Sequence, residues 1–444
     1  MKIVIAGAGE VGTHLAKMLS TQEHDIYVID ADSEKLRKLN ETCDIQTICG
    51  SPTSVKNLME ANVDSSDLFV AVTPHESQNI TACLLAYNLG AKYRIARIDN
   101  PEYLEPHCVA FFKKMGIDEM IYPELLAANE IKMFLKKTWV RQWLEFGNGA
   151  LILIGMILRK GSSILNIKLK DLTTSGHYRV VAIKRDSQTI IPNGNTEICD
   201  KDIVYFITTP EYVEHVKQDA DKSQVNVHDV TILGGTKMAI RTCKELSDDL
   251  NIKVLEKDSE QARVLSEKLD VMVIKADGSD PEVMKQEDID EMDAFVALTD
   301  NSETNILACL EARQLGVKKV VANVEKMSYF NLAEKLDIGN IINKKLITAS
   351  HIFQYTLDAS VSTVYSLTHA DAQVVELTVQ YDSPVTHKPV MEIKWPHDIF
   401  VGGYIRDGIG AIANGATQLK PGDRALVFCP SASMRMIEKL FNSK

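Results

Sequence analysis

Lys2-Ile3-Val4-Ile5-Ala6-Gly7-Ala8-Gly9-Glu10-Val11-Gly12 is the stretch that decides the fold. A short unbroken apolar run reads as a buried strand, and Val11, Leu15 and Leu19 then fall at helical spacing. Strand, glycine turn and helix in that order build the phosphate-binding corner of a dinucleotide fold. Gly7 permits the tight turn, Gly9 lets a pyrophosphate approach the backbone, and Gly12 lets helix and strand pack closely. The helix start adds free N–H groups and the positive end of the helix dipole. Asp30 closes the next apolar run 18 residues after Gly12, where a carboxylate accepts both ribose hydroxyls and repels a 2′-phosphate. This favours NAD, or another adenine nucleotide, over NADP.

Working outward, apolar runs at 2–6, 26–29, 45–48, 68–72 and 94–98 alternate with amphipathic stretches such as Leu36 and Leu39, which predicts a doubly wound parallel sheet. Gly50-Ser51, Thr73-Pro74 and Arg97 then fall at the C-terminal strand ends, where ligands of such sheets collect. Arg97 is a candidate for bidentate pairing with a phosphate, the alternative being a surface ion pair. Asp32 divides between a ligand contact and a helix cap.

The chain repeats itself. Ile3 to Gly7 recurs as Val230 to Gly234, and Tyr27 to Glu34 recurs as Lys253 to Glu260. Phe69-Val70-Ala71-Val72-Thr73 recurs as Phe295-Val296-Ala297-Leu298-Thr299, and Asn79-Ile80 as Asn305-Ile306. Behind each copy lies a weaker echo, Pro192 to Phe206 against Ala413 to Phe428. The order is therefore A–B–A–B, with polar 219–226 as the junction. Module B has short β-branched runs, Arg179 to Ile183 and Asp202 to Ile207, bracketing an Asn193-Gly194 turn, and a final segment at 431–441 that reads as helical. The fold class expected is α/β: two Rossmann-like doubly wound parallel-sheet domains, each followed by a small β-rich α+β domain.

The second corner, Gly234-Gly235-Thr236-Lys237-Met238-Ala239, keeps the first glycine but places Thr236 where Gly9 stands and Ala239 where Gly12 stands. A β-branched residue there puts a Cβ in the pyrophosphate position. Glu256 still supplies a ribose carboxylate, while Ala276 replaces Gly50 and Asn323 replaces Arg97. The second site is expected to bind weakly, differently or not at all.

Composition narrows the function. At 444 residues, with 25% charged and 45% hydrophobic residues, the chain is ordinary globular protein of about two to four domains. A formal charge of -12 argues against a grip on nucleic acid. The most apolar run, Ala150 to Leu158, falls short of the ~20 residues of a spanning helix and reads as a buried strand. Without a signal peptide at its start, a cytoplasmic protein is expected, and the eight scattered cysteines suit a reducing compartment. No catalytic constellation emerges. His75 is a loop histidine beside the strand end, and Glu105-Pro106-His107-Cys108 is too isolated for a metal site, so no catalytic residue and no metal is assigned.

The corner, Val28-Ile29-Asp30, Gly50, Phe69 to Thr73, Ala96-Arg97-Ile98 and the tandem duplication together resemble the TrkA family over essentially the whole chain. Members are peripheral subunits of bacterial and archaeal Trk potassium-uptake systems built from RCK N- and C-domains. The resemblance implies an RCK N-domain over 1–120, a linker helix and C-domain over 121–220, a second N-domain over 227–345, and a linker helix and second C-domain over 346–444. It implies a cytoplasmic homotetramer docked on an integral membrane K⁺-translocating subunit of the TrkH/TrkG type, peripheral to the membrane without inserting in it. NAD(H), ATP or ADP would bias its conformation. Site residues carried over are Gly7, Ala8, Gly9, Glu10, Val11, Gly12, Asp30, Ser51, Thr73, Pro74 and Arg97. For the second copy they are Gly234, Gly235, Thr236, Lys237, Met238, Glu256, Leu298 and Thr299. The rival reading is a soluble NAD-dependent oxidoreductase with a duplicated cofactor domain, and a third is a structural assembly subunit with vestigial sites.

Overall fold

A computed structural model describes residues 1–20, 24–172, 176–186, 188–356, 361–367, 372–396, 398–430 and 434–441. The chain divides into two compact units, Met1–Lys132 with Val227–Thr356, and Met133–Asn226 with Leu357–Lys444.

The first unit holds two parallel six-stranded sheets. The first sheet comprises β1 (Lys2–Ala6), β2 (Asp25–Asp30), β3 (Gln46–Cys49), β4 (Leu68–Ala71), β5 (Tyr93–Arg97) and β6 (Glu119–Ile121) in the order β3-β2-β1-β4-β5-β6. The order reverses at β1, so the crevice for a ligand opens beside the Gly7 turn. Helices α1 (Glu10–Ser20), α2 (Ser33–Asn40), α3 (Val55–Glu60), α4 (Glu76–Leu89) and α5 (Pro106–Lys114) cross between the strands, and α6 (Pro123–Lys136) follows the last of them. Helices on both faces explain the unbroken apolar strands: Ile3, Val4, Ile5 and Ala6 are fully buried. Val4, Ile29, Phe69 and Ala96 anchor one core cluster. The sixth strand lies outside the five runs recognised in the sequence, because three residues are too short to show a period.

The second sheet repeats the order as β14-β13-β12-β15-β16-β17. Its strands are β12 (Asp229–Leu233), β13 (Asn251–Glu256), β14 (Met272–Lys275), β15 (Ala294–Ala297), β16 (Lys319–Asn323) and β17 (Asn340–Ile342). Its helices are α8 (Lys237–Leu246), α9 (Ser259–Lys268), α10 (Pro281–Gln286), α11 (Ser302–Leu315), α12 (Met327–Lys335) and α13 (Lys344–Phe353). The two domains meet where α13 packs on α1.

Burial lifts the Glu130 carboxyl on α6 to about 7. An acid whose folded pKa lies above its unfolded value loses stability as pH rises, here between about 4.5 and 7. Glu130→Gln should therefore stabilise the chain by about 1–3 kcal/mol at pH 8 and leave pH 5 nearly unchanged, read as urea midpoints at the two pH values.

In the second unit, β7 (Gln142–Phe146), β8 (Leu151–Ile157), β9 (Tyr178–Arg185), β10 (Gln188–Ile190) and β11 (Ile203–Thr208) form an antiparallel sheet ordered β10-β9-β11-β8-β7, followed by α7 (Val213–Asp219). β18 (Val361–Ser366), β19 (Gln373–Thr378), β20 (Phe400–Arg406), β21 (Ile409–Ile412) and β22 (Arg424–Cys429) repeat it as β18-β19-β22-β20-β21, followed by α14 (Met434–Phe441). Residues 431–433 of the segment read as helical lie outside the described residues. One core spans both sheets, with Phe146, Leu153 and Tyr205 against Val374, Leu426 and Phe428. In each copy a buried aspartate takes an arginine bidentately: Arg185 on Asp202 at 2.9 and 2.7 Å, Arg406 on Asp423 at 2.8 and 2.7 Å. The hairpin differs from expectation. β9 turns directly into β10 at Asp186 (φ 52°), whereas Asn193-Gly194 forms a loop in which the Asn193 side chain accepts the Asn195 N–H. An Asx turn of this kind serves Asn-Gly as well as a hairpin does.

Candidate functional site

The first corner shows why each glycine is there. Gly7 has φ +115°, and a Cβ on Gly12 would lie 1.9 Å from the Gly7 carbonyl oxygen, so both are required by the fold. Gly9 is different: a Cβ there would meet no atom within 4 Å. Packing does not demand this glycine, and the open space before it is what a pyrophosphate needs.

Asp30 is held by backbone. Its Oδ2 accepts the Ala8 N–H at 2.5 Å and its Oδ1 the Asp32 N–H at 2.8 Å. Each carboxylate oxygen keeps a second lone pair for a ribose hydroxyl. Asp32 is a cap, accepting the Glu34 and Lys35 N–H groups at the start of α2 at 3.0 and 3.2 Å. The Gly50 N–H donates to the Asp30 carbonyl at 2.9 Å, and beyond it Ser51 bonds Thr53 through their hydroxyls at 2.8 Å. Val11 is buried beneath the turn.

At the other end of the crevice, Arg97 reaches Asp99 at 3.2 Å, while its Nε is buried with no partner. A guanidinium with an unmet donor suits an incoming phosphate oxygen. Thr73 plays another part than a free hydroxyl would. Its N–H and hydroxyl both donate to Asn79 Oδ1, at 2.9 and 2.7 Å, and exposed Pro74 follows. Asn79 Nδ2 donates in turn to the carbonyls of Thr73 and Arg97, at 3.0 and 2.9 Å. This buried amide ties the ends of β4 and β5 together. Asn305 repeats every bond with Thr299 and Asn323, at 3.0, 2.7, 2.9 and 2.9 Å. Sequence reasoning used Asn79 and Asn305 only to align the copies; their identical register was the available signal. Asn79→Ala strands two carbonyls and the Thr73 donors, and should lower stability by about 2–4 kcal/mol in urea unfolding.

The second corner keeps the ribose end. Gly235 N–H donates to Glu256 Oε2 at 2.5 Å and Asp258 N–H to Oε1 at 2.8 Å. Thr236 caps α8, its hydroxyl accepting the Ala239 N–H at 3.2 Å and donating to the Leu298 carbonyl at 2.8 Å. Met238 and Leu298 are buried, and a cavity of about 630 Å³ opens between Gly234, Glu256, Ala276 and Thr299. A well-formed cavity therefore survives the loss of two glycines.

The two corners also face each other's domains. Lys237, expected at the second site, lies 3.7 Å from Asp99 of the first, beside Arg97. Glu10 pairs with Lys345, which also binds Glu325 at 2.9 Å. Lys344 holds nearly buried Glu124 at 2.8 Å.

A TrkA-N domain matches residues 3–123 and 230–344, and a TrkA-C domain matches 153–219 and 374–442. The chain belongs to the TrkA family. It is 30% identical to the Trk system potassium uptake protein TrkA of Haemophilus influenzae, over 99% of this chain and 98% of the relative. To a TrkA homolog of Methanosarcina mazei it is 28% identical, over 99% and 100%. Among solved structures, the GsuK RCK domain superposes with a TM-score of 0.61 at 13% identity, covering 99% of this chain and 94% of that one. A GsuK channel bound to NAD gives 0.60 at 14%, covering 99% and 78%. At these identities the likeness shows a shared RCK fold. The TrkA-N segments cover the two Rossmann-like sheets, and the TrkA-C segments cover most of the antiparallel ones, leaving out β7 and β18.

Proposed function

We propose that this TrkA-family chain is the regulatory subunit of a potassium-uptake system, in which NAD(H), ATP or ADP binding biases the conformation that gates a membrane K⁺-translocating subunit. The observation that carries the ligand claim is the row of Gly9, Asp30 and Arg97: open space, a pinned carboxylate and a guanidinium with an unmet donor. Gly7 to Gly12, Asp30, Ser51, Thr73, Pro74 and Arg97 form the first site. Gly234 to Met238, Glu256, Leu298 and Thr299 form the second, with Lys237 also reaching the first domain's rim. The proposed domains run 1–120, 121–220, 227–345 and 346–444.

The mechanism requires no chemical step. A ligand shifts the conformational equilibrium by its affinity difference between the two states, and a tenfold difference per site supplies about 1.4 kcal/mol. Several sites in a tetramer add up to a usable bias. The partner is an integral membrane subunit of the TrkH/TrkG type, and this chain sits on it from the cytoplasmic side. No helix among the described residues is long and apolar enough to cross a membrane.

Calorimetric titration tests the reading. NADH should bind wild type, and Asp30→Ala should weaken it at least tenfold, since two hydroxyl bonds to a charged acceptor are lost. Unaltered heats in Asp30→Ala would overturn the first-site assignment. Turnover of NADH with a small carbonyl compound would instead establish the oxidoreductase.

A further inference from the structure

We infer that the cavity of the second Rossmann domain takes a nucleoside and rejects nucleoside di- and triphosphates. This rests on the reading of both domains as ligand sites and narrows it, so that NAD(H), ATP and ADP act through the first domain, and it follows from comparing the two copies within one chain.

The ribose end is conserved in geometry. Glu256 accepts the Gly235 and Asp258 N–H groups just as Asp30 accepts those of Ala8 and Asp32, leaving the same lone pairs for two hydroxyls. Gln261 adds a bond from its Nε2 to the Gly235 carbonyl at 2.6 Å, fixing the turn at this wall. The cavity of about 630 Å³ is within the range of small-molecule pockets.

The phosphate end is dismantled at two points. Thr236 puts a side chain where Gly9 leaves open space, and its hydroxyl consumes the Ala239 N–H that an anion at the start of α8 would need. Asn323 replaces the guanidinium of Arg97 with a neutral amide.

Charge acts in the same direction. Residues lining the cavity include four carboxylates, Glu256, Asp258, Asp277 and Asp300, against Lys237 and Lys257. The Ser279 hydroxyl and N–H hold the Asp277 carboxyl below its ordinary range, so it stays ionised. The matching positions of the first copy, Glu10, Asp30, Asp32 and Lys35, are net acidic as well, so what separates the two copies is the Arg97 guanidinium that Asn323 replaces and the open turn at Gly9. A diphosphate tail entering the second cavity meets net like charge and finds an amide where the first copy has the Arg97 guanidinium, whereas an uncharged nucleoside has no such penalty.

The test uses the full chain carrying Asp30→Ala, with wild type presaturated with NADH as a second background should that variant fail to fold. Adenosine, guanosine, uridine, AMP, ADP and ATP are titrated by calorimetry. The expected result is one nucleoside per chain, with the matching diphosphate at least tenfold weaker and binding abolished by adding Glu256→Ala. Thr236→Gly with Asn323→Arg should raise diphosphate affinity at least tenfold. A diphosphate that binds as tightly as its nucleoside overturns the inference, and so does the absence of heat with all three nucleosides. NADH titrated into Glu256→Ala alone reports the first site, so failure there falls on the functional reading and leaves the selectivity of the second cavity separately decided.

Discussion

Gly12→Ala is expected to abolish NADH binding and to destabilise the chain by about 3 kcal/mol or more. The added Cβ would stand 1.9 Å from the Gly7 carbonyl oxygen and 3.1 Å from its carbon, so the obstacle is backbone, which no rotamer change relieves. Gly7 has little room to retreat: its own Cβ direction ends 3.0 Å from the Thr73 N–H nitrogen, at φ +115°. Overpacking a tight core typically costs about 1–3 kcal/mol, and a forced backbone shift adds to it. Moving α1 also displaces the surface on which α13 packs. The second domain supplies the contrast. Ala239 already occupies the equivalent position there, so Ala239→Gly should cost about 1–2 kcal/mol, the helix-propensity difference plus one buried methyl. Urea unfolding and calorimetry on both variants decide the matter; Gly12→Ala with wild-type stability and NADH affinity would refute the account of the turn.

How much of this was legible beforehand depends on whether a feature is local in the chain. The Rossmann order was readable because buried parallel strands and amphipathic helices leave two different periods in the sequence, and because each copy confirms the other. β6 and β17 were missed as strands because three residues carry no period. Asn193-Gly194 was misread because the same dipeptide serves an Asx turn and a hairpin. At the site, the glycines and Asp30 announce themselves by spacing, whereas Asn79 acts through backbone groups, which leave no trace in the residues it serves. The direction of Lys237 and the partners of Glu10 were not readable at all. Those contacts join residues more than a hundred positions apart, and nothing in either segment names the other.

Lys344→Ala should lower stability by about 3–5 kcal/mol, the range for removing one member of a buried pair. Glu124 is 4% exposed, its Oε2 has no partner, and the Lys344 ammonium at 2.8 Å is the cation that balances its charge. Without it the carboxylate is left with no cation beside it in a poorly solvated seam. Lys344→Ala with Glu124→Leu should recover most of the loss, because the desolvated charge is then gone. The same seam explains why the two copies diverged in charge. Glu10 and Glu124 of the first domain stand where the second has Lys237 and Lys345. Two first domains paired with each other would set Glu10 toward Glu124 with no lysine between them. Acids in one copy and lysines in the other make first-with-second pairing the favourable one. A double variant no more stable than the single one in urea unfolding would show that Lys344 acts through packing instead of charge.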